Sequence, residues 1–232
     1  MNGILTIIPF LLFRDVIDYF YIKIYKSYIE MPVLKVILLG DTNVGKTAFI
    51  DKYLKREIKG ERTATIGTAF SVKSIDFNNS SIDLHIWDTA GQERYKSLTT
   101  LYYRSSNIAI IMYDVTDPVS FIRAKEYMNN IKIKAPSNIV IGFIGNKSDI
   151  AIEDPTKRAI PYSVGKEYAD IHDVFFAETN VFNNNDAKCV FGTLIDNVPI
   201  DAIFSDKGET DALLDNIIEN NPHLKNDCCN II

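Results

Sequence analysis

The chain has 232 residues, 47% of them apolar and 24% charged, which is ample material for one packed α/β domain with terminal segments to spare. A formal charge of −5, from 25 basic against 30 acidic side chains, argues against bulk nucleic-acid binding, which wants a basic excess. Three cysteines, an odd number with no spaced pairs and no histidine partners, argue against a disulfide framework and a zinc site and fit a reducing compartment.

The chain starts with an apolar run, ILTIIPFLLF over residues 4–13, followed by VIDYFYIKIYKSYI. A secretory signal would carry a basic leader and a small-residue cleavage site, and neither is present. The run is too short to span a bilayer, and Arg14, Asp15 and Asp18 interrupt any extension. Three readings remain: a helix lying on a membrane or on the domain, a targeting segment, or a start codon assigned too far upstream. Met31, just before the regular pattern begins, favours the third. Residues 1–31 are therefore read as an N-terminal extension, 32–204 as the folded domain and 205–232 as a polar, flexible tail.

VLKVILL (33–39) is a short apolar run that ends at Gly40, the signal of a buried strand. Gly40-Asp41-Thr42-Asn43-Val44-Gly45-Lys46-Thr47 then fits G-x-x-x-x-G-K-[ST] between a strand and a helix, the context expected of a phosphate loop. The glycines let backbone N–H groups wrap phosphate oxygens, and the helix starting near Lys46 adds the positive end of its dipole. Lys46 is expected on the β- and γ-phosphates and the Thr47 hydroxyl on Mg²⁺. Asp41, Thr42, Asn43, Val44, Gly45, Lys46, Thr47 and Ala48 make up the expected phosphate-binding set. Phe49, Ile50, Tyr53 and Leu54 share one face of a helix predicted over 46–56.

The stretch from Glu57 to Thr65 is polar and has no apolar period. Thr65 can offer its hydroxyl to Mg²⁺ only when a γ-phosphate holds the segment closed, which is the logic of a switch that orders on triphosphate and loosens on hydrolysis. FSVKSIDF (70–77), the turn NNSS (78–81) and IDLHIWD (82–88) read as an antiparallel hairpin. WDTAGQERY (87–95) follows. Asp88 ends a strand and can reach the metal through water, Gly91 lets its N–H approach the γ-phosphate, and Gln92 can orient an attacking water.

IAIIMYDV (108–115) is a second buried run, with a helix predicted over about 118–133. IVIGFIGN (139–146) is a third, and it delivers GNKSD (145–149) at a strand end, with Asn146 standing 100 residues after Lys46. Asp149 can accept two hydrogen bonds from guanine N1–H and the 2-amino group. Adenine offers neither and would leave the carboxylate unpaired, at a cost of roughly 1–3 kcal/mol. Asn146 can hold the loop and face the base, and Lys147 can lie along the base plane. A helix near 163–171, a strand over 174–179 and a helix near 187–197 complete the pattern. Apolar strands separated by helices imply a mostly parallel sheet covered on both faces, with ligands beyond the carboxyl ends of the strands.

These segments, in this order, resemble the Ras-like small GTPases, and WDTAGQERY, YYR (102–104), YDVTD (113–117) and GNKSD resemble the Rab family within them. TIGTAF (65–70), RYKSLTTLYYR (94–104), SFIRAK (120–125) and APSNIVI (135–141) look most like the endocytic Rab-five type. The resemblance runs from about Val33 to Pro199. It implies an α/β P-loop NTPase fold with a six-stranded, mostly parallel sheet, one antiparallel edge strand and helices on both faces. It implies a monomeric GTP/GDP switch that binds GTP with Mg²⁺ and hydrolyses it at a rate on the order of 10⁻⁴ per second without an activator. Implied partners are an exchange factor, an activating protein, an escort protein or GDP dissociation inhibitor, and trafficking effectors. Phe70, Trp87 and Tyr102 would be the effector-reading aromatics.

The sequence departs from the family at several points. Asn43 replaces a small residue beside the γ-phosphate, and Ile58 an aromatic at the guanine edge. ETNVF (178–182) replaces E-T-S-A-K, so Asn180, Val181 and Phe182 are the expected base-loop residues. Val181 keeps the N–H that reads guanine O6, and Phe182 lacks the family's lysine. These departures leave a nucleotide-binding pseudo-GTPase scaffold with weak or no hydrolysis as the alternative function. Residues 150–162 carry a short insertion with no assigned role. The tail ends in NDCCNII, where CNII is a poor C-a-a-X box because Asn230 is not aliphatic. Rab proteins commonly end in paired cysteines that each carry a geranylgeranyl group. Two chains at about 0.8 kcal/mol per buried CH₂ would make Cys228 and Cys229 a stable anchor to the cytoplasmic face of endosomal or vesicle membranes.

Overall fold

The computed structural model describes residues 32–55, 68–77, 80–89, 105–183 and 185–199. Its strands are β1 (Val33–Gly40), β2 (Thr68–Phe77), β3 (Ser80–Thr89), β4 (Ile108–Asp114), β5 (Val140–Asn146) and β6 (Phe175–Glu178). Its helices are α1 (Lys46–Tyr53), α2 (Pro118–Lys134), α3 (Ser148–Glu153), α4 (Tyr162–Ile171) and α5 (Asp186–Asp196), with a 3₁₀ turn at Pro155–Lys157. The sheet runs β2-β3-β1-β4-β5-β6. Only the β2–β3 pair is antiparallel, so β2 is the antiparallel edge.

The burial of the two central strands explains why their sequences read as apolar runs, Lys35 in β1 and the terminal Asp114 of β4 excepted. Every residue of β4 is buried, and so is β1 from Leu34 onward. A strand with helices on both faces has no side for polar alternation. Leu34, Val36 and Leu38 point to one face, with Phe49, Ile50 and Tyr53 of α1 and Val190, Phe191 and Leu194 of α5. Ile37 and Leu39 point to the other, with Phe121, Ala124, Met128 and Ile131 of α2 and Ala169 of α4. Phe191 stacks on Tyr53 with ring centroids 3.8 Å apart, which locks α1 to α5. β3 is covered on one face by α1, and it alternates as its sequence predicts: Ile82, Leu84 and Ile86 are inside.

Helix ends follow local chemistry. Asp117 caps α2 by accepting from the Val119 N–H, with Pro118 in the first turn and Lys132 and Lys134 in the last. The helix predicted over 46–56 stops at Tyr53, because Lys55 turns left-handed (φ 58°). The hairpin pairs Phe77 with Ser80 and Asp76 with Ser81, so two residues of the predicted turn (78–81) belong to β3. The 3₁₀ turn and α3 from Ile150 onward lie in the stretch read from sequence only as an insertion.

Candidate nucleotide site

β1, β3, β4, β5 and β6 are mutually parallel, so their carboxyl ends all lie at the same end of the sheet. Gly40 closes β1 with φ 146°, and a side chain there would meet the Met112 carbonyl at 2.3 Å. Gly45 caps α1 with φ 99°. Asn43 is exposed and left-handed (φ 64°), a conformation asparagine tolerates better than most residues. Thr42 is also exposed, and its N–H donates to Asp41 Oδ1 at 2.7 Å.

Lys46 is almost fully buried under this loop. Its Nζ donates to the carbonyls of Gly40 (3.0 Å) and Asp41 (2.8 Å). Burial lowers its pKa to about 8, against the opposing pull of Asp88 and Asp41. The Thr47 hydroxyl donates to Asp88 Oδ2 at 2.5 Å, which joins the start of α1 to the end of β3. The adjoining Thr89 hydroxyl bonds the Leu38 carbonyl at 2.6 Å and fixes the strand end that carries Asp88. Two hard oxygen ligands in contact at the mouth of the phosphate loop suit Mg²⁺, which takes one or two protein oxygens plus phosphate and water.

Asn146, the last residue of β5, is buried and bonds in two directions. Its Nδ2 donates to the Val44 carbonyl at 2.8 Å, and its Oδ1 accepts from the Thr179 hydroxyl at 3.1 Å. One amide thus ties the phosphate loop to the loop after β6. Lys147 is left-handed (φ 62°), and its Nζ pairs with Asp114 Oδ2 at 2.8 Å, which stretches its stem across the end of β4. Ser148 sends both its N–H and its hydroxyl to the Thr179 carbonyl. Asp149 sits half-buried in the first turn of α3, and among the described residues nothing donates to its carboxylate.

Beyond Thr179, the Asn180 N–H donates to Asp186 Oδ2 and the Phe182 N–H to Asn180 Oδ1, both at 2.8 Å. Among the described residues the Val181 N–H makes no hydrogen bond. Phe182 is 73% exposed at the rim. Phe70 and Trp87 meet across the β2–β3 pair with centroids 4.7 Å apart, and Phe70 is partly exposed. Thr65, Gly91, Gln92, Tyr102, Ile58, Cys228, Cys229 and the segments 1–31 and 205–232 lie outside the described residues.

Sequence reasoning missed several supporting residues. Asp114 holds Lys147 and also accepts from the Thr116 N–H and hydroxyl. Arg123 of α2 clamps Asp41, with Nε 3.1 Å from Oδ2 and a second nitrogen 3.2 Å from Oδ1. Both lie in segments quoted above only for their family spelling, YDVTD and SFIRAK. Thr179 is the joint between two loops. Arg158 and Glu178 pair across the insertion, and no local sequence signal marks them.

A phosphate loop latched to a base-side loop, on a six-stranded sheet with one antiparallel edge, defines a P-loop nucleotide-binding protein of the small-GTPase class. The family profile described as "Ras family" matches residues 35–200. The Ras-related protein RABA4a of Arabidopsis thaliana is 38% identical over 163 residues, covering 70% of this chain and 70% of that protein. Its Arabidopsis relative RABA4c is 37% identical over 163 residues, covering 70% and 71%. The GTP-binding protein ypt5 of Schizosaccharomyces pombe is 38% identical over 168 residues, covering 72% and 78%. The chain belongs to the Ras family and, within it, to the Rab-type small GTPases. It is a GTPase of the kind that regulates vesicle traffic. Proteins of this family use Mg²⁺ with nucleotide and work with exchange factors, activating proteins, a GDP dissociation inhibitor and effectors. Among the described residues no helix is long and apolar enough to cross a membrane.

Proposed function

We propose that this GTPase is an endocytic switch, which binds GTP with Mg²⁺ at the loops described and recruits effectors to early endosomal membranes. The observation that carries the nucleotide reading is the buried amide of Asn146, bonded at once to Val44 and Thr179. It makes the phosphate-side and base-side loops one unit, as a ligand spanning both requires. In this reading the N–H groups of residues 42–48 face the phosphates. Lys46 exchanges its carbonyl partners for phosphate oxygens, whose charge draws its pKa back up. Thr47, Asp88 and Thr65 would hold Mg²⁺, which when bound neutralises charge at the β- and γ-phosphate oxygens. Asp149 takes guanine N1–H and the 2-amino group, the Val181 N–H takes O6, the Lys147 stem lies along the base, and Asn180 and Phe182 flank it. The Gly91 N–H meets the γ-phosphate, and Gln92 orients the water.

The contact of Phe70 with Trp87 supports an effector-reading aromatic patch completed by Tyr102. The endocytic assignment is supported by the spellings TIGTAF, RYKSLTTLYYR and SFIRAK. The pair Cys228 and Cys229, prenylated, would fasten the switch to the cytoplasmic face of the membrane and let it cycle with the cytosol. Titration with fluorescent GDP, GTP and ATP in Mg²⁺ tests the site. Guanine nucleotides should bind far more tightly than ATP, and equal competition by ATP would overturn the base reading. Gln92→Leu should trap the triphosphate form, and unchanged turnover would remove Gln92 from the mechanism. Replacing both terminal cysteines with serine should release the protein from membranes, and continued attachment would point to another anchor.

A further inference from the structure

Beyond α3 the rest of the insertion forms a strap from Asp154 to Pro161, and its two ends are fixed differently. At its start, Asp154 accepts from both the N–H and the hydroxyl of Thr156, which closes the 3₁₀ turn. At its end, the N–H groups of Ala159 and Ile160 both donate to the Val115 carbonyl at 3.0 Å, and the Ile160 side chain is buried. Val115 in turn donates its N–H to the Asn146 carbonyl at 3.0 Å. The strap is therefore fastened to the strand ends that carry the nucleotide loops.

Arg158 sits between these anchors. One guanidinium nitrogen bonds Glu178 Oε1 at 2.7 Å and the other bonds Oε2 at 2.9 Å, a planar two-point fork. The same nitrogen that meets Oε1 also donates to the Ile160 carbonyl at 3.1 Å, so the fork is oriented by its own strap. The Glu178 carboxylate is only 11% exposed, and Arg158 is its only partner among the described residues. A carboxylate so far from water needs such a partner.

Glu178 is the last residue of β6. Thr179 follows immediately and meets Asn146, the Gly145 carbonyl and Ser148. Val181 stands two residues later. We propose that Arg158 is a positioning residue for the base loop: by gripping both oxygens of Glu178 it sets where the Val181 N–H stands relative to purine O6. This inference rests on the reading that Val181 contacts O6. The strap then has a role in base selection rather than only in joining α3 to α4.

The test compares GDP with two analogues in equilibrium titrations of the full chain. In 6-thio-GDP only the atom at position 6 changes, to a poor acceptor. IDP lacks only the 2-amino group that Asp149 would read. Wild-type protein should prefer GDP to both. Arg158→Ala should bind GDP on the order of tenfold more weakly, within the usual range of coupling between separate sites. Its preference for GDP over 6-thio-GDP should fall towards one, while its preference over IDP stays as in the wild type. A merely structural ion pair would weaken all three ligands alike, and that result, or full retention of the O6 preference, overturns the proposal. Arg158→Lys keeps the charge beside Glu178 but not the fork, and should lose part of the O6 preference alone. If Arg158→Ala does not fold, unchanged O6 preference in Arg158→Lys overturns the proposal. If wild-type protein binds GDP and 6-thio-GDP equally, the Val181 reading fails and this inference falls with it. If the wild type and both variants show the same preference, the Val181 reading stands and the role of Arg158 is removed.

Discussion

Asn146→Ala removes the amide that joins the phosphate loop to the base loop. The side chain is 1% exposed, so water does not replace what is lost. Two partners are orphaned: the Val44 carbonyl, which received Nδ2 at 2.8 Å, and the Thr179 hydroxyl, which gave to Oδ1 at 3.1 Å. Each buried group left unmet costs about 1–3 kcal/mol, so the variant should lose about 2–6 kcal/mol. In a domain of this size that corresponds to a drop in Tm of roughly 4–24 °C. The assay is urea unfolding followed by tryptophan fluorescence, with GDP and Mg²⁺ in fixed excess and again without nucleotide. Thr179→Val, which removes the hydroxyl alone, completes a double-mutant cycle. Because the two residues share a bond, the double variant should fall short of the summed losses by about 1 kcal/mol. Losses that add within about 0.5 kcal/mol would show that the two do not act together and would refute the latch.

Three other outcomes follow from single features. The Tyr113 hydroxyl is buried with no partner among the described residues, and burial pushes its pKa far above the ordinary phenol range. Tyr113→Phe should therefore be neutral or stabilising by up to about 1 kcal/mol in urea unfolding, and a loss above about 2 kcal/mol would mean the hydroxyl is bonded. Gly45→Ala forces a Cβ to within 2.3 Å of Asn146 Nδ2 at φ +99°, and a backbone strain of about 1–3 kcal/mol should cut GDP affinity roughly 5- to 150-fold. Nucleotide-free protein should gain stability as pH rises from about 8 towards 10.5, because in that window the unfolded state holds a proton on Lys46 that the folded state has released. The gain is at most about 3 kcal/mol. It should be absent in Lys46→Met, and an equal pH slope in both proteins would contradict the buried ammonium.

What could be read from sequence was what local pattern encodes. β1 and β4 show themselves because burial on both faces leaves mostly apolar positions, with Lys35 and the terminal Asp114 the exceptions. α2 shows itself through Asp117, Pro118 and its closing lysines, and the phosphate loop through glycine spacing. Contacts between distant segments left no such trace. α3 has only 6 residues and is tied down by Ser148 to Thr179, 31 positions away. Arg158 meets Glu178 across 20 positions, and Arg123 meets Asp41 across 82. An arginine on a helix face or in a turn reads as a solvated charge until the fold brings its carboxylate alongside.

Because Asn146 gathers both loops onto the central strands, nucleotide bound at the proposed site would be coupled to the survival of the whole domain. A ligand that binds only the folded state adds roughly 4 kcal/mol when present at a thousand times its Kd. That is a large part of the 5–15 kcal/mol that holds a typical domain together. An emptied molecule would open far more often, and opened chains are what proteases and chaperones act on. The cellular lifetime of the protein would then track the guanine-nucleotide pool, and pulse proteolysis across a GDP series would read that dependence directly.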